Sequence, residues 1–269
     1  MRRLKILFFW IFVNKNNVTF RELLKFLVKP KIDSIANTFI KEIISSDEYL
    51  EISFNNIDTI LFWPKNFSLL RLYQVVCESF DENDWHFYQK RNTEVNEGEI
   101  ILDIGTAEGL FPLDVIEKCS HIYMIEPSKI FNNALKKTFS KFSEKTTIYH
   151  TAVGNFVGQI PFDENSLEGM ISENNDLEKV CITTIDSLIG EKKITYLKAD
   201  IEGYELEMLK GSELTIKTNK PKIAITTYHT QNNPTEIINL IKSFVPEYNY
   251  YVKGIYEKTP KPVMIHFWI

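Results

Sequence analysis

From Glu99 onward, short apolar segments alternate with amphipathic helical ones, and this rhythm limits the possible folds more than any other feature of the chain. Residues 100–104, 122–125, 147–150, 194–199 and 222–227 read as strands. Residues 110–118, 129–142, 204–209 and 235–244 read as helices between them. Such alternation predicts parallel βαβ units in a doubly wound α/β sheet. The tail departs from it. Residues 248–253 and 263–268 are aromatic-rich strands joined through Gly254 and Pro260, so an antiparallel hairpin is expected to finish the sheet.

The first 95 residues are of another texture. Apolar spacing predicts helices over 21–28, 35–44 and 68–80, and residues 50–54 and 59–63 flank Asn55-Asn56 as a hairpin closed by Pro64. The chain opens with Arg2 and Arg3 before an apolar run that Lys5 interrupts, leaving residues 6–13. Eight residues cannot span a bilayer, and no small-residue cleavage site follows. A packed or interface-forming helix is expected, with a membrane-surface anchor or a homodimer contact as the alternatives. No transmembrane segment is expected.

Composition narrows the function classes. At 269 residues, 44% hydrophobic and 25% charged, the chain suits a folded protein with a large core rather than a disordered one. A net charge of −5 and the lack of a strongly basic domain argue against a nucleic-acid partner. Cys77, Cys119 and Cys181 are too scattered for a disulfide framework or a CxxC metal site. They suit a reducing, cytoplasmic setting. Ile, Lys and Asn are abundant, as an AT-rich genome dictates, and this reads as codon bias rather than function.

In open α/β sheets, ligands bind beyond the carboxyl ends of the strands, so the residues just after each strand matter most. Asp103-Ile104-Gly105-Thr106-Ala107-Glu108-Gly109 closes the first strand. Gly105 permits a sharp turn and close ligand approach. The GxGxxG fingerprint of a pyrophosphate cradle is absent. Glu126, before Pro127, ends the second strand and can accept both hydroxyl protons of a ribose. Thr151, Ala152, Val153 and Gly154 leave room for a flat ring after the third. Lys198, Asp200, Glu202 and Glu205 crowd the end of a strand that reads as buried, where charge is costly unless paired or liganded. Tyr228-His229 ends the next strand on the same side. Each has a plainer use too: a strand–helix turn, a solvated carboxylate, a Lys–Glu network or a structural histidine.

Taken in order, these residues resemble class I S-adenosylmethionine-dependent methyltransferases. The run Thr183-Thr184-Ile185-Asp186-Ser187-Leu188, followed by Lys198-x-Asp200-x-Glu202-Gly203-x-Glu205-x-x-x-Leu209-x-Gly211, is similar to the FkbM family of O-methyltransferases. The resemblance covers roughly residues 95–269. One departure is Glu108, in a loop where such enzymes often carry Gly-Ala-Asn after the strand's Asp. The resemblance implies a Rossmann-like, mostly parallel seven-stranded sheet with an antiparallel last strand, preceded by a helical and hairpin extension. It implies S-adenosylmethionine held by Asp103, Gly105, Thr106, Gly109, Glu126, Pro127, Ala152, Val153 and Asp200. It also implies an alcohol acceptor, such as a sugar in a nucleotide sugar or surface-polysaccharide precursor, or a polyketide-like natural product.

Chemistry on a hydroxyl requires help with its proton. His229, Asp200 and Lys198 are the candidate catalytic residues. Asp200, Glu202 and His229 are alternatively candidate ligands of a divalent cation, Mn or Mg. The expected organisation is residues 1–95 for acceptor or oligomer contacts and 96–269 for S-adenosylmethionine binding and catalysis. A polar insert over 156–179, with Asp163, Glu164, Asn165, Ser166 and Gly169, is a candidate lid or simply a solvated loop, and Trp85, His86 and Tyr88 are a candidate sugar platform, with core packing expected for at least one of them. Two other readings stay open. A nicotinamide-dependent oxidoreductase shares Asp103 and Glu126 but leaves 198–205 unexplained. A non-catalytic interaction module is favoured by Glu108 and the apolar start.

Overall fold

The computed structural model of the protein describes residues 2–164, 170–171, 176–229 and 233–269. Of the polar insert, Asn165, Ser166 and Gly169 lie outside the described residues.

The chain begins with a helical hairpin, α1 (Arg2–Phe12) and α2 (Phe20–Val28). Thr19 starts α2 through a capping box: its side chain accepts from Glu22 N–H while the Glu22 carboxylate accepts from Thr19 N–H. After α3 (Ile32–Ala36) come β1 (Ile40–Ser45), β2 (Tyr49–Phe54) and β3 (Leu61–Pro64), an antiparallel three-stranded sheet in that order. Then α4 (Leu69–Phe80) starts on Ser68, whose side chain accepts from Arg71 N–H. The helix expected over 35–44 is therefore wrong in its second half. Ile40, Ile43 and Ile44 are β-branched, and Ile43 and Ile44 pair with Ile52 and Glu51 of β2. A ladder partner outweighs local helical spacing.

The second part runs β4 (Ile100–Ile104), α5 (Leu110–Val115), β5 (His121–Ile125), α6 (Lys129–Thr138) and β6 (Thr146–Tyr149). Next are β7 (Ala152–Val153), β8 (Gly158–Asp163), β9 (Met170–Ile171), β10 (Lys179–Thr183) and α7 (Ile185–Ile189). It closes with β11 (Tyr196–Ala199), α8 (Glu205–Lys210), α9 (Glu213–Asn219), β12 (Lys222–Thr226), α10 (Pro234–Phe244), β13 (Asn249–Lys253) and β14 (Met264–Trp268). Seven strands form the main sheet in the order β13-β14-β12-β11-β4-β5-β6. Every neighbouring pair is parallel except the two that involve β14. The expected doubly wound, mostly parallel sheet is present. Its tail hairpin is present too, but β14, the later arm, lies inside between β12 and β13. A small sheet, β7-β10-β8-β9, uses the insert that read as a possible lid.

Strand order reverses between β4 and β11, which places a crevice at their carboxyl ends. The core explains how the N-terminal elements meet that crevice. Ile52, Trp63, Phe67 and Leu72 share one hydrophobic cluster with Ile101, Phe111, Phe131 and Tyr196 of the sheet side. Phe67 stacks on Phe131 with ring centroids 4.7 Å apart. The N-terminal elements therefore pack as a continuation of the same core. Phe67→Ala is expected to cost about 3–5 kcal/mol, measured by chemical denaturation, within one cooperative transition. A separate early transition for the N-terminal part would show that the cluster is not one folding unit.

Candidate active site

The first wall is the turn after β4. Gly105 has φ +71°, and a Cβ there would lie 1.9 Å from the Asp200 carbonyl oxygen. Only glycine lets these two loops meet backbone to backbone. Ala107 is also left-handed, at φ 47°. Its N–H donates to Glu126 Oε2 over 2.8 Å, and Ser128 N–H donates to Glu126 Oε1 over 2.8 Å. Burial pushes the Glu126 carboxyl up to about 7, although both N–H groups favour its charged form. Each Glu126 oxygen keeps a second lone pair for another donor, as a ribose diol requires. Burial likewise pushes Glu108 up to about 7.

Beneath this turn Lys198 and Asp103 are register partners on β11 and β4 and form a buried ion pair of 3.0 Å. Lys198 Nζ also donates to the Gly105 carbonyl over 2.7 Å. Burial disfavours the ammonium, but Asp103 and Asp200 outweigh it and hold its pKa above the ordinary lysine value.

The second wall follows β11 and β12. Asp200 Oδ2 accepts from the Tyr88 hydroxyl over 3.0 Å and lies 3.4 Å from His86 Nε2. The Thr226 hydroxyl lies 2.9 Å from Asp200 Oδ1 and 3.1 Å from Glu205 Oε1, so its proton serves two carboxylates. His229 is held at both nitrogens: Nδ1 is 3.0 Å from Glu205 Oε1 and Nε2 is 3.0 Å from Glu202 Oε2. Burial opposes a charge on His229, yet Glu202 and Glu205 lift its pKa to about 11. Burial opposes one on His86 also, but Glu78 and Asp200 raise it to about 9. Burial would raise Asp200; the His86 hydrogen bond and the charges of His86, His229 and Lys198 overcome this and hold it well below the carboxylate range. The cluster thus interleaves carboxylates with imidazoles whose charged forms those carboxylates favour.

One cavity of about 1220 Å³ joins both walls. It exceeds the roughly 300–1,000 Å³ that a single drug-sized ligand occupies, so two molecules can share it. Gly105, Thr106, Glu126, Pro127, Ala152, Val153, Lys198, Asp200, Glu202 and His229 all line it. Asp103 and Gly109 stand behind the wall. Asp103 is fully buried on Lys198, and Gly109, at φ +89°, packs against Leu135 and Phe139. All three members of the aromatic trio line the cavity. Trp85 stacks on Phe26 at 4.7 Å, while His86 and Tyr88 reach Asp200. The sequence marks His86 only as part of a sugar platform and Glu205 only as part of the acidic run, and gives Thr226 no role, whereas all three meet at the cluster around Asp200 and His229. Glu205 was visible in the acidic run; nothing local to His86 indicates a contact 114 positions away.

The candidate metal ligands converge, with Glu205 in place of Glu202: donor atoms of Asp200, Glu205 and His229 lie within 4.8 Å of one another. His229 Nδ1 already shares a proton with Glu205, and Nε2 lies in an ion pair with Glu202 at 3.0 Å, so a cation would have to displace the imidazole from one or the other. The arrangement fits protons better than a metal, and no step below runs through one. S-adenosylmethionine fits better: the cavity has the volume, Glu126 the open lone pairs, and Ala152 and Val153 the small side chains.

The sequence model of the family described as "Methyltransferase FkbM domain" matches residues 103–252. Among solved structures, methyltransferase FkbM from Methylobacillus flagellatus KT is 20% identical, with a TM-score of 0.53 over 88% of this chain and 58% of that one. Trm5b from Pyrococcus abyssi is 14% identical, with a TM-score of 0.42 over 85% of this chain and 62% of that one. The tRNA (uracil-54, C5)-methyltransferase of Pyrococcus abyssi, solved with S-adenosyl-L-homocysteine, is 12% identical, with a TM-score of 0.43 over 84% and 45%. The chain thus spans less than two thirds of the length of each of these structures. No curated protein matches it.

Lys198→Met is expected to destabilise the fold by about 3–5 kcal/mol by stranding the Asp103 carboxylate, and Asp103→Leu combined with it to recover much of that loss. Urea denaturation of the single and double variants is the measurement. Additive losses would show that the ion pair is not what joins β4 to β11.

Proposed function

Because the chain belongs to the methyltransferase FkbM domain family, we propose that it is an S-adenosylmethionine-dependent O-methyltransferase whose acceptor is a sugar hydroxyl, as in a nucleotide-sugar or surface-polysaccharide precursor. The observation that carries this reading is the single cavity whose wall holds both Glu126 and the proton-sharing His229 cluster. Glu126, Ala152, Val153 and the 105–108 turn would hold the donor. Bound there, S-adenosylmethionine supplies an electrophilic methyl group.

The protein's own part is positioning and proton transfer. Glu205, fully buried, fixes His229 through Nδ1 and orients the ring. Nε2 is the nitrogen that faces Glu202 and Asp200, and it is the atom proposed to take the acceptor's hydroxyl proton. Its own proton must leave first. Arg71, Gln74 and Glu78 of α4 line the same cavity and offer polar groups for an acceptor.

S-adenosylhomocysteine is expected to bind in calorimetry with or without EDTA, and no binding in either case sinks the methyltransferase reading. Affinity should rise as pH passes about 7, where Glu126 ionises and can accept ribose hydroxyl protons. Glu126→Gln should flatten that rise and weaken binding about 10- to 100-fold.

His229→Ala should cost about 10²–10⁴ in turnover while sparing S-adenosylhomocysteine affinity. Turnover by the unaltered enzyme should climb with pH toward the His229 pKa of about 11, because only the neutral ring accepts a proton. Glu202→Gln removes one of the charges that hold the pKa up, so the climb should begin at lower pH. An unmoved profile, or near-normal turnover without His229, refutes the proton route.

A further inference from the structure

The helical hairpin carries a surface that methyl transfer does not use. On α1, Leu4, Phe8, Ile11 and Phe12 are 52–70% exposed, at the i, i+4, i+7, i+8 spacing of one helical face. On α2, Phe20, Leu24 and Val28 are 46–77% exposed and form a second outward stripe at i, i+4, i+8. The inward faces are already satisfied: Ile6 and Leu23 are buried with Val18, Trp85 and Ile255. The helices are antiparallel. Arg3 donates to the Leu27 carbonyl at one end, and Trp10 and Phe20 rings meet at 6.1 Å at the other. Two apolar stripes thus point away from the body of the protein.

The charge of this segment is opposite to that of the rest. Residues 1–31 hold eight Lys or Arg and one acid, Glu22, a net +7 on a chain whose total is −5. The remaining residues therefore carry −12. Lys5, Lys15, Arg21 and Lys31 are exposed. Lys5 and Arg21 stand beside the apolar stripes on the helical wheel, and Lys15 lies over the Trp10 ring at 4.5 Å. No helix among the described residues is long and apolar enough to cross a membrane.

From these observations we propose that the α1–α2 hairpin docks the protein on an anionic lipid surface, with the apolar stripes at the headgroup–acyl boundary and the basic residues on lipid phosphates. Exposed aromatics flanked by basic residues are what an interfacial helix requires. An isologous contact between two copies would instead set +7 against +7. Arg2 pairs with Glu257 and Lys29 with Asp81 and Asp84 of the body, so the exposed Lys5, Lys15, Arg21 and Lys31 are the charges offered to lipid. Arg2, Arg3, Val28 and Lys29 also border the cavity, so the docking face lies next to it. The inference stands apart from the methyl-transfer reading, because its readout is binding and not turnover.

The test is flotation of the full chain with phosphatidylcholine vesicles and with mixed phosphatidylcholine–phosphatidylglycerol vesicles, at low and high salt. Binding to the mixed vesicles only, weakened by salt, is expected. Phe8→Glu with Phe12→Glu should abolish it while leaving the thermal melt and S-adenosylhomocysteine affinity unchanged. Lys5→Glu and Arg21→Glu should each weaken it on the order of fivefold or more. Absence of binding to the mixed vesicles by well-folded protein overturns the proposal. So does sedimentation that shows an oligomer broken by Phe8→Glu without any vesicle binding, which would assign the face to a second copy or a protein partner.

Discussion

A buried lysine holds the two walls of the site together. Lys198 ties β11 to β4 through Asp103 and fixes the Gly105 carbonyl above it. The Gly105 turn then lies directly against the Asp200 backbone. Asp200 in turn collects Tyr88, Thr226 and the two histidines. A buried ion pair of this kind contributes little net stability compared with apolar residues of the same shape, but breaking half of it is expensive. Its value here is positional: it sets the height of one loop against the other to within a hydrogen bond. Local strain accompanies that placement, since Ala107 and Glu202 both adopt left-handed backbone that costs roughly 1–2 kcal/mol for a residue with a side chain.

Much of the fold was legible because parallel strands buried on both faces leave continuous apolar runs, as in Ile100–Ile104 and Lys222–Thr226. The strand ends were legible because charges such as Lys198 and Asp200 have no place in such a run unless partners wait there. The failures have a common cause, which is pairing between distant residues. Ile40–Ser45 carries helical spacing and strand propensity at once, and only the presence of β2 decides between them. The ladder that joins Ile182 to Ala152 builds a second sheet from a stretch that read as a turn and a polar insert. His86 sits in an aromatic-rich segment whose neighbours say nothing of Asp200, so its role belongs to tertiary structure alone.

The cluster around Asp200 shows how burial and proximity compete. Desolvation disfavours every charge there, yet the acids and imidazoles approach closely enough that each pays for its neighbour. Among the described residues, Glu126 and Glu108 have no such cationic neighbour at hydrogen-bond distance, and burial carries their carboxyls toward neutrality instead. One cavity therefore offers two electrostatic environments, a fixed ionic lattice and a pair of carboxyls poised near pH 7. The difference arises from histidines delivered by separate elements, His86 from the segment after α4 and His229 from the end of β12.

The position of β14 has a consequence for how the sheet is assembled. It follows β13 in sequence but lies between β13 and β12, so β13 reaches the sheet only through a strand made after it. During synthesis β12 is an open edge, and its Ile-Ala-Ile run lacks the charges that usually discourage pairing with other chains. β13 can join the sheet only with or after β14, either as a hairpin or by later addition to it. Topology, not order of synthesis, decides when the barrier to a wrong edge partner is finally raised.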